Sequence, residues 1–197
     1  MTTTSREPAL EPMILRDGRT LTLRPICIDD AELFRVFMLT LASDTPWIGS
    51  NPDEVRDIDW YQDRIEQVLE RTGSRWEIAV SEEHNAIVGD CMALPGNRAK
   101  FEHVAMIGIG IIEPWRGAGL GRMLMERTIN WARESALIDK LELGVFEHNT
   151  NARNLYTSLG FQIEGVRTRA IRQPDGSYHD DVLMGLWVGD DLSDEPI

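Results

Sequence analysis

One short glycine-rich segment constrains the fold of this chain more than any other feature. Residues 116–121 read Arg-Gly-Ala-Gly-Leu-Gly and join a nearly unbroken apolar run, residues 103–112, to an amphipathic run, residues 120–134. Glycines let a backbone approach a ligand closely, and a helix that begins in such a segment directs its free N–H groups into it. The segment therefore predicts a strand, an anion-binding turn and a helix in succession, with a pyrophosphate as the favoured anion.

Two common nucleotide-binding motifs do not fit this segment. A P-loop has a lysine directly after its last glycine, whereas Arg122 follows Gly121. A dinucleotide-binding fingerprint counted from Gly117 would need a third glycine where the chain has Arg122. A connector without a ligand stays an alternative for the turn alone. Gly108 and Gly110, inside the preceding strand, favour a ligand lying along that strand.

Hydrophobic periodicity predicts the other elements. The predicted strands cover residues 21–25, 76–80, 86–94, 103–112, 140–146, 161–172 and 178–188, and the predicted helices cover residues 31–41, 53–71, 120–134 and 151–159. This order favours an α+β (mixed α/β) fold. We expect residues 1–13 to be a flexible lead-in, residues 14–188 a single domain and residues 189–197 an acidic tail.

The composition limits the possible binding partners and the cellular compartment of the chain. The chain of 197 residues has 20 Lys and Arg against 33 Asp and Glu, a net charge of −13, which disfavours nucleic acid and anionic membranes. It contains no apolar run long enough for a membrane span, and its N-terminus lacks the apolar core of a signal peptide. Cys27 and Cys91 have no metal-ligand spacing, so we expect both to be small core residues, no metal site and a cytoplasmic location.

Three segments together resemble the GNAT superfamily of N-acetyltransferases, and the likeness runs from about residue 20 to residue 188. The segments are Arg116-x-x-Gly119-x-Gly121, Asn149-x-x-Ala152-x-x-x-Tyr156-x-x-x-Gly160-Phe161 and Arg24-Pro25 followed by Asp30-Ala31. Shorter segments, among them His103-Val104-Ala105 and Asp175-Gly176-Ser177-Tyr178, are similar to the branch that contains broad-range amino-acid N-acetyltransferases.

The resemblance implies a fold and a reaction. The fold is a central mixed, mostly antiparallel sheet flanked by helices on both faces. The reaction is direct transfer of the acetyl group of acetyl-CoA to a primary amine, most simply of an amino acid or another small molecule, without a metal. A homodimer formed through the late strands is also implied. The alternatives are an N-terminal protein or peptide acetyltransferase and a non-catalytic CoA-binding module.

The resemblance also implies roles for particular residues. Tyr156 would donate a proton to the departing thiolate, although periodicity alone favours a helix residue packed on the sheet. The backbone of residues 116–122 would hold the pyrophosphate, and the strand before it would pair with the pantetheine arm and polarise the thioester carbonyl. The implied cofactor-binding residues are Ile109, Gly110, Ile111, Ile112, Arg116, Gly117, Ala118, Gly119, Leu120, Gly121, Arg122, Asn149, Ala152 and Asn154.

The general base and the acceptor contacts are less constrained. Glu102, His103 and Glu113 are candidates for the base, each with the alternative of a solvated strand end. Trp115 either shields the cofactor or packs in the core. The expected acceptor contacts come from the first two helices and the last hairpin: Phe34, Trp47, Trp60, Tyr61, Tyr178, His179, Asp180 and Asp181.

Overall fold

The structure is a computed structural model, and it describes residues 12–190. The predicted lead-in and acidic tail therefore lie outside the described residues, apart from residues 12–13 and 189–190. Among the described helices, none combines the length and the apolarity needed to cross a membrane.

Eight strands and four α-helices make up the described chain. The strands are β1 (Met13–Ile14), β2 (Thr20–Pro25), β3 (Arg75–Ser81), β4 (Ala86–Pro95), β5 (Val104–Ile111), β6 (Lys140–Phe146), β7 (Gln162–Arg172) and β8 (Tyr178–Trp187). The helices are α1 (Ala31–Asp44), α2 (Ile58–Glu70), α3 (Leu120–Glu134) and α4 (Thr150–Ser158).

All eight strands form one sheet in the order β1-β2-β3-β4-β5-β6-β8-β7. Every neighbouring pair is antiparallel except β5 and β6, which are parallel. A crossover through α3 joins these two strands, as a parallel connection requires. The predicted mixed, mostly antiparallel sheet is thereby confirmed.

The helices cover both faces of the sheet, as predicted. Side chains alternate along β3, so Trp76 and Ile78 pack in one apolar cluster with α1 and α2, while Ala79 packs in the other with α3. Burial on both faces explains why β3 reads as an apolar run with little alternation. Tyr156 of α4 belongs to the α3 cluster, so α4 lies on the same side as α3.

Helix α2 and strand β1 differ most from the sequence prediction. Helix α2 begins at Ile58, because the carboxylate of Asp57 accepts a hydrogen bond from the Trp60 N–H at 2.9 Å and caps the helix there. The preceding residues Pro52–Glu54 form a separate 3-10 turn, so the prediction of one helix from residue 53 was wrong at its start. Strand β1 was not predicted, since two residues carry no periodic pattern.

The parallel pair β5 and β6 separates along its length. In the described chain its ladder joins residues 104–106 to residues 140–142, although β5 continues to Ile111 and β6 to Phe146. The outer partners stay paired: β4 follows β5 to Ile111, and β8 follows β6 to Phe146. The sheet is therefore split by a wedge that exposes one backbone edge of β5.

Candidate active site

The wedge joins two cavities of similar size. The first, the glycine-loop cavity, has a volume of about 600 Å³ and lies between the end of β5 and the starts of α3 and α4. The second, the aromatic cavity, has a volume of about 690 Å³ and lies under α1 and α2. The two cavities share part of their walls: Leu41, Trp47, Ile48, Ile109, Gly110, Asn149 and Tyr156 line both.

The glycine loop has the backbone conformation that its sequence predicts. Gly117 has φ +78° and Gly119 has φ +100°, in the left-handed region that favours glycine. Gly119 is the N-cap of α3, so the free N–H groups of the first helical turn lie beside the cavity. The Nε of Arg116 donates to the carbonyl of Ile111 at 2.8 Å and ties the loop to the end of β5.

Positive charge is concentrated at the glycine-loop cavity. Arg16, Arg116 and Arg122 line it, and its described lining contains no Asp or Glu. Arg16 is brought there by the connection between β1 and β2, where its N–H donates to the carbonyl of Ala118 at 3.2 Å. In a chain with a net charge of −13, three arginines without a lining carboxylate indicate an anion site. Arg16 was not predicted, because it lies about 100 residues before the loop.

Helix α4 places Tyr156 at the junction of the two cavities. The Oδ1 of Asn149 accepts a hydrogen bond from the Ala152 N–H at 3.2 Å and caps the helix, and Tyr156 follows two turns later. Tyr156 is buried, and burial raises the pKa of its hydroxyl above the ordinary range. The phenol is therefore protonated throughout the neutral range and has a proton to donate.

The aromatic cavity is assembled from distant parts of the chain. The ring of Phe34 meets those of Tyr61 and Trp76 edge-on, with centroids 5.6 Å and 4.9 Å away. Trp47, in the connection between α1 and α2, meets Phe146 of β6 at 5.7 Å. Residues of this connection and of both helices line the cavity.

Charges of both signs line the aromatic cavity. The carboxylates belong to Glu54, Asp90 and Asp181, and the guanidinium groups belong to Arg56 and Arg64. Within residues 12–190, no ion pair involves either arginine. Arg64 is also half-buried, so it offers a cavity ligand a positive charge that the described carboxylates leave unneutralised.

Asp90 is a buried acid that sequence reasoning missed. It lies in β4 opposite Gly110 of β5, and the Nε1 of Trp76 donates to its Oδ2 at 3.1 Å. Burial raises the pKa of this carboxyl to about 7, against the smaller opposing effect of the Trp76 hydrogen bond. A single acid inside an otherwise apolar strand was the signal that could have identified it, because carboxyl groups are rarely buried without a reason.

Most of the predicted cofactor-binding residues line the glycine-loop cavity. They are Ile109, Gly110, Ile111, Arg116, Gly117, Gly119, Gly121, Arg122, Asn149 and Ala152. Ile112, Ala118, Leu120 and Asn154 do not line it: Ala118 and Leu120 are buried in the core, and Asn154 is exposed on α4. Asn151, which was not predicted, lines it.

The predicted acceptor contacts divide between two groups. Phe34, Trp47, Trp60, Tyr61 and Asp181 line the aromatic cavity. Tyr178, His179 and Asp180, in the last hairpin, do not. The hairpin therefore contributes one described residue to this cavity, and the early helices contribute more.

The predicted base candidates lie outside both cavities. Glu102 and His103 precede β5, at the end of the strand that is still paired with β6, and Glu113 follows β5 on the surface. Trp115 is buried in the core, where its ring stacks on the guanidinium of Arg19 at 4.2 Å. It does not line the glycine-loop cavity.

The two cysteines differ. Cys91 is buried, as predicted, and burial raises the pKa of its thiol to about 12, which keeps it protonated and unreactive. Cys27 is exposed, so the prediction that it is a core residue was wrong. Within residues 12–190, no group of three or more His, Cys, Asp or Glu side chains is arranged to hold a metal ion.

The family model and two related sequences that match this chain are all acetyltransferases. The family model described as "Acetyltransferase (GNAT) family" matches residues 38–161. The L-amino acid N-acetyltransferase AaaT of Escherichia coli (strain K12) is 32% identical over 124 residues, which cover 60% of this chain and 72% of that protein. The ribosomal protein bS18-alanine N-acetyltransferase of Haemophilus influenzae is 26% identical over 106 residues, which cover 54% of this chain and 68% of that protein.

Solved structures agree in fold. An acetyltransferase of the GNAT family from Streptococcus pneumoniae matches with a TM-score of 0.80 and 24% identity, over 85% of this chain and 99% of that chain. The acetyltransferase yncA from Salmonella typhimurium, solved with its cofactor acetyl-CoA, matches with a TM-score of 0.76 and 20% identity, over 90% and 99% of the two chains. Both solved structures resemble this chain in fold.

Proposed function

The chain belongs to the acetyltransferase (GNAT) family, and from this membership we propose that it transfers the acetyl group of acetyl-CoA directly to the primary amine of an amino acid or another small molecule. The observation that carries the proposal is the pair of cavities that meet at Tyr156. One cavity has the charge for a polyphosphate, and the other has the size and the charges for a small acceptor.

The residues at the glycine-loop cavity fit acetyl-CoA. The N–H groups at the start of α3, together with Arg16, Arg116 and Arg122, would hold its phosphates. The backbone edge of β5 that the wedge leaves unpaired would hold the amide-bearing pantetheine arm, with Asn149 beside it. When bound, acetyl-CoA supplies an activated acyl group, so the chain itself needs no nucleophile, and neither cysteine lines a cavity.

Tyr156 is proposed as the proton donor of the reaction. Loss of the thiolate is easier when the sulfur receives a proton as the C–S bond breaks, and a protonated phenol at the junction of the cavities can supply it. Phe161 packs beside the ring, with centroids 6.1 Å apart, and helps to hold it in place.

The aromatic cavity favours an acceptor that carries both charges of an amino acid. Arg64 and Arg56 offer an unneutralised guanidinium for a carboxylate, and Asp90 offers a carboxyl group for an ammonium. A volume of about 690 Å³, covered by the connection between α1 and α2, suits a small molecule better than a long peptide. The similarity to an L-amino acid N-acetyltransferase supports the same acceptor class.

A thiol-release assay with acetyl-CoA tests the proposal. The acceptors would be L-amino acids, the corresponding amino-acid amides, polyamines, aminoglycosides and short peptides. We expect turnover on at least one amino acid, with a lower kcat/KM for its amide because the amide lacks the carboxylate. Activity on peptides alone would support an N-terminal peptide acetyltransferase instead. Tight CoA binding without thiol release from any acceptor would support a non-catalytic CoA-binding module.

A homodimer in the cytoplasm is a second expectation carried from the sequence. The sheet ends at β7, an edge strand of 11 residues on which Ile163 and Val166 are exposed. An exposed apolar edge is a natural contact for a second copy. Sedimentation of the chain at micromolar concentration would give a dimer mass if this expectation is right, and a monomer mass if it is wrong.

A further inference from the structure

We propose that Asp90 is the general base that takes a proton from the acceptor ammonium before the amine attacks. This inference rests on the proposed function, since it assigns a role within the same acetyl transfer. It assigns a residue to this proton removal, since Glu102, His103 and Glu113 lie outside both cavities.

The geometry of the sheet gives Asp90 access to the junction of the cavities. Asp90 is paired with Gly110 across β4 and β5, and Gly110 lines both cavities. A Cβ on Gly110 would lie 3.0 Å from the Oδ1 of Asp90 and 2.5 Å from the Cδ2 of Leu41. The missing side chain of Gly110 therefore leaves room for the Asp90 carboxyl beside the strand that would hold the thioester.

The other two carboxylates of the aromatic cavity are already engaged by other groups. Asp181 is ion-paired with Arg167, whose Nε donates to its Oδ2 at 3.0 Å, so a cation already occupies this carboxylate. The carboxylate of Glu54 accepts a hydrogen bond from the Asn51 N–H at 2.7 Å and is exposed to solvent. Asp90 is held instead by a neutral donor, Trp76, and no described cation pairs with it.

The surroundings of Asp90 match its role. Burial raises its pKa to about 7, between that of a solvated carboxyl and that of an amine, so a carboxylate that can accept a proton is populated at neutral pH. The charged and titratable groups that share its cavity are Glu54 and Arg56 from the connection between α1 and α2, Tyr61 and Arg64 from α2, Asp181 from β8 and Tyr156 from α4. The described lining from α1 and β5 is uncharged.

In the proposed step, Asp90 and Tyr156 each move one proton. The Asp90 carboxylate removes one proton from the ammonium, and the neutral amine forms a C–N bond to the thioester carbon as the C–S bond breaks. The sulfur leaves with the bonding electrons and receives the proton of the Tyr156 hydroxyl. The second proton of the nitrogen restores the Tyr156 phenol, directly or through water, and Asp90 releases its own proton to solvent. The products are an N-acetylated amine, free CoA thiol and one proton.

Asp90→Asn tests the proposal, because the amide keeps the shape and can still accept from Trp76 but cannot take a proton. The rate would be measured as kcat/KM for the best amino acid from pH 6 to pH 10. We expect the wild-type value to rise with a midpoint near pH 7 and to level above it, and the variant to be about 100-fold slower at pH 7.5. The gap should narrow near pH 10, where the free amine is already deprotonated.

Two further variants separate catalysis from folding. Asp63→Asn removes an exposed acid of α2 outside both cavities and should leave kcat/KM unchanged. Trp76→Phe removes the hydrogen-bond donor to Asp90, so the pH at which the rate levels should move upwards. If Trp76 were merely structural, this variant would lower thermal stability without moving that pH.

The outcomes for Asp90 and for the proposed function are distinct. If folded Asp90→Asn keeps a kcat/KM within about twofold of wild type at pH 7.5 with an unchanged pH profile, Asp90 is not the base and the acetyl transfer still stands. If the wild-type chain releases no thiol with any amino acid but does so with another amine, the proposed acceptor class fails, and the same comparison of wild type with Asp90→Asn on that amine decides the role of Asp90.

Discussion

The glycine-loop cavity and the aromatic cavity meet at Tyr156 and have similar volumes, about 600 and 690 Å³, yet they are built differently. The first is lined by arginines without a described carboxylate, and many of its lining residues come from one stretch of the chain, between residues 109 and 122. The second mixes three acids with two arginines, and its wall is made by side chains from α1, α2, β4, β5, β6, α4 and β8.

This difference separates a cavity suited to binding by backbone groups from a cavity suited to binding by side chains. Backbone N–H groups at a helix start can bind a pyrophosphate whatever the surrounding side chains are. In the proposed site the acceptor would be bound by side chains, so changing one of them would change the preferred substrate. The comparison predicts that substitutions will affect the two substrates separately, except where the cavities share a wall.

The largest effect is expected at the shared wall, with Gly110→Ala. Its new methyl group would collide with Leu41 and approach the carboxyl of Asp90, and a misplacement of about 1 Å at a reacting centre can cost about 100-fold. We therefore expect kcat/KM to fall about 100-fold with either substrate varied.

Gly108→Ala is the matched control for this change. Gly108 lies two residues earlier in the same strand, and a Cβ there meets no described atom within 4 Å. It should cost far less than Gly110→Ala. Equal losses in the two variants would mean that the junction is not the reacting centre.

A smaller and one-sided effect is expected from Arg64→Gln. If Arg64 binds the carboxylate of the acceptor, the variant should raise KM for the amino acid about tenfold and leave KM for acetyl-CoA unchanged, because a hydrogen bond to a charged group is worth about 1.5–3 kcal/mol. The amino-acid amide should be insensitive to the change. An equal loss with the amide would contradict a carboxylate-binding role.

Arg16→Gln should give the opposite pattern with a still smaller effect. Arg16 is exposed, so solvent and salt screen its charge, and we expect KM for acetyl-CoA to rise only about threefold. The KM for the amino acid should not change. Steady-state kinetics at two salt concentrations would check this, since the difference from wild type should shrink at the higher concentration.

The smallest predicted effect is on stability. The pKa of Asp90 is raised to about 7 in the folded chain from 3.8, so its contribution to stability is complete below about pH 4 and is lost as the pH rises through 7. Asp90→Asn removes this loss. Thermal unfolding should show a variant that is several degrees more stable than wild type at pH 8, with little difference at pH 4.

A variant that is less stable than wild type at pH 8 would mean that the ionised Asp90 carboxylate stabilises the fold. This measurement needs no ligand, so it examines the environment of Asp90 independently of any activity.

The sequence predicts the fold and the glycine-loop side of the site well, for a physical reason. Strands and helices follow from local periodicity, and residues 116–121 form a contiguous turn whose conformation depends on its own glycines. The start of α2 was misplaced because the capping residue, Asp57, competes with other acids in residues 53–59, and only the structure shows which one bonds to a helix N–H.

The acceptor side could not be predicted to the same depth. The environment of Asp90 is set by Trp76 and Gly110. These residues lie 14 and 20 residues away in the chain and contact Asp90 only through strand pairing. The sequence pattern of α2 does not distinguish Arg64 from the other charged residues of the helix. Arg64 lines a cavity because α2 packs over the sheet. Spacing along a chain carries no information about such contacts.

We propose that acetyl transfer takes place where the two cavities meet, with Tyr156 as the proton donor. The most direct measurement is the rate of thiol release by Tyr156→Phe with the best amino acid, beside Tyr178→Phe, which changes an exposed tyrosine outside both cavities. We predict at least about a tenfold loss of kcat for Tyr156→Phe, unchanged CoA affinity, and wild-type rates for Tyr178→Phe. Equal rates for wild type and Tyr156→Phe would contradict the claim.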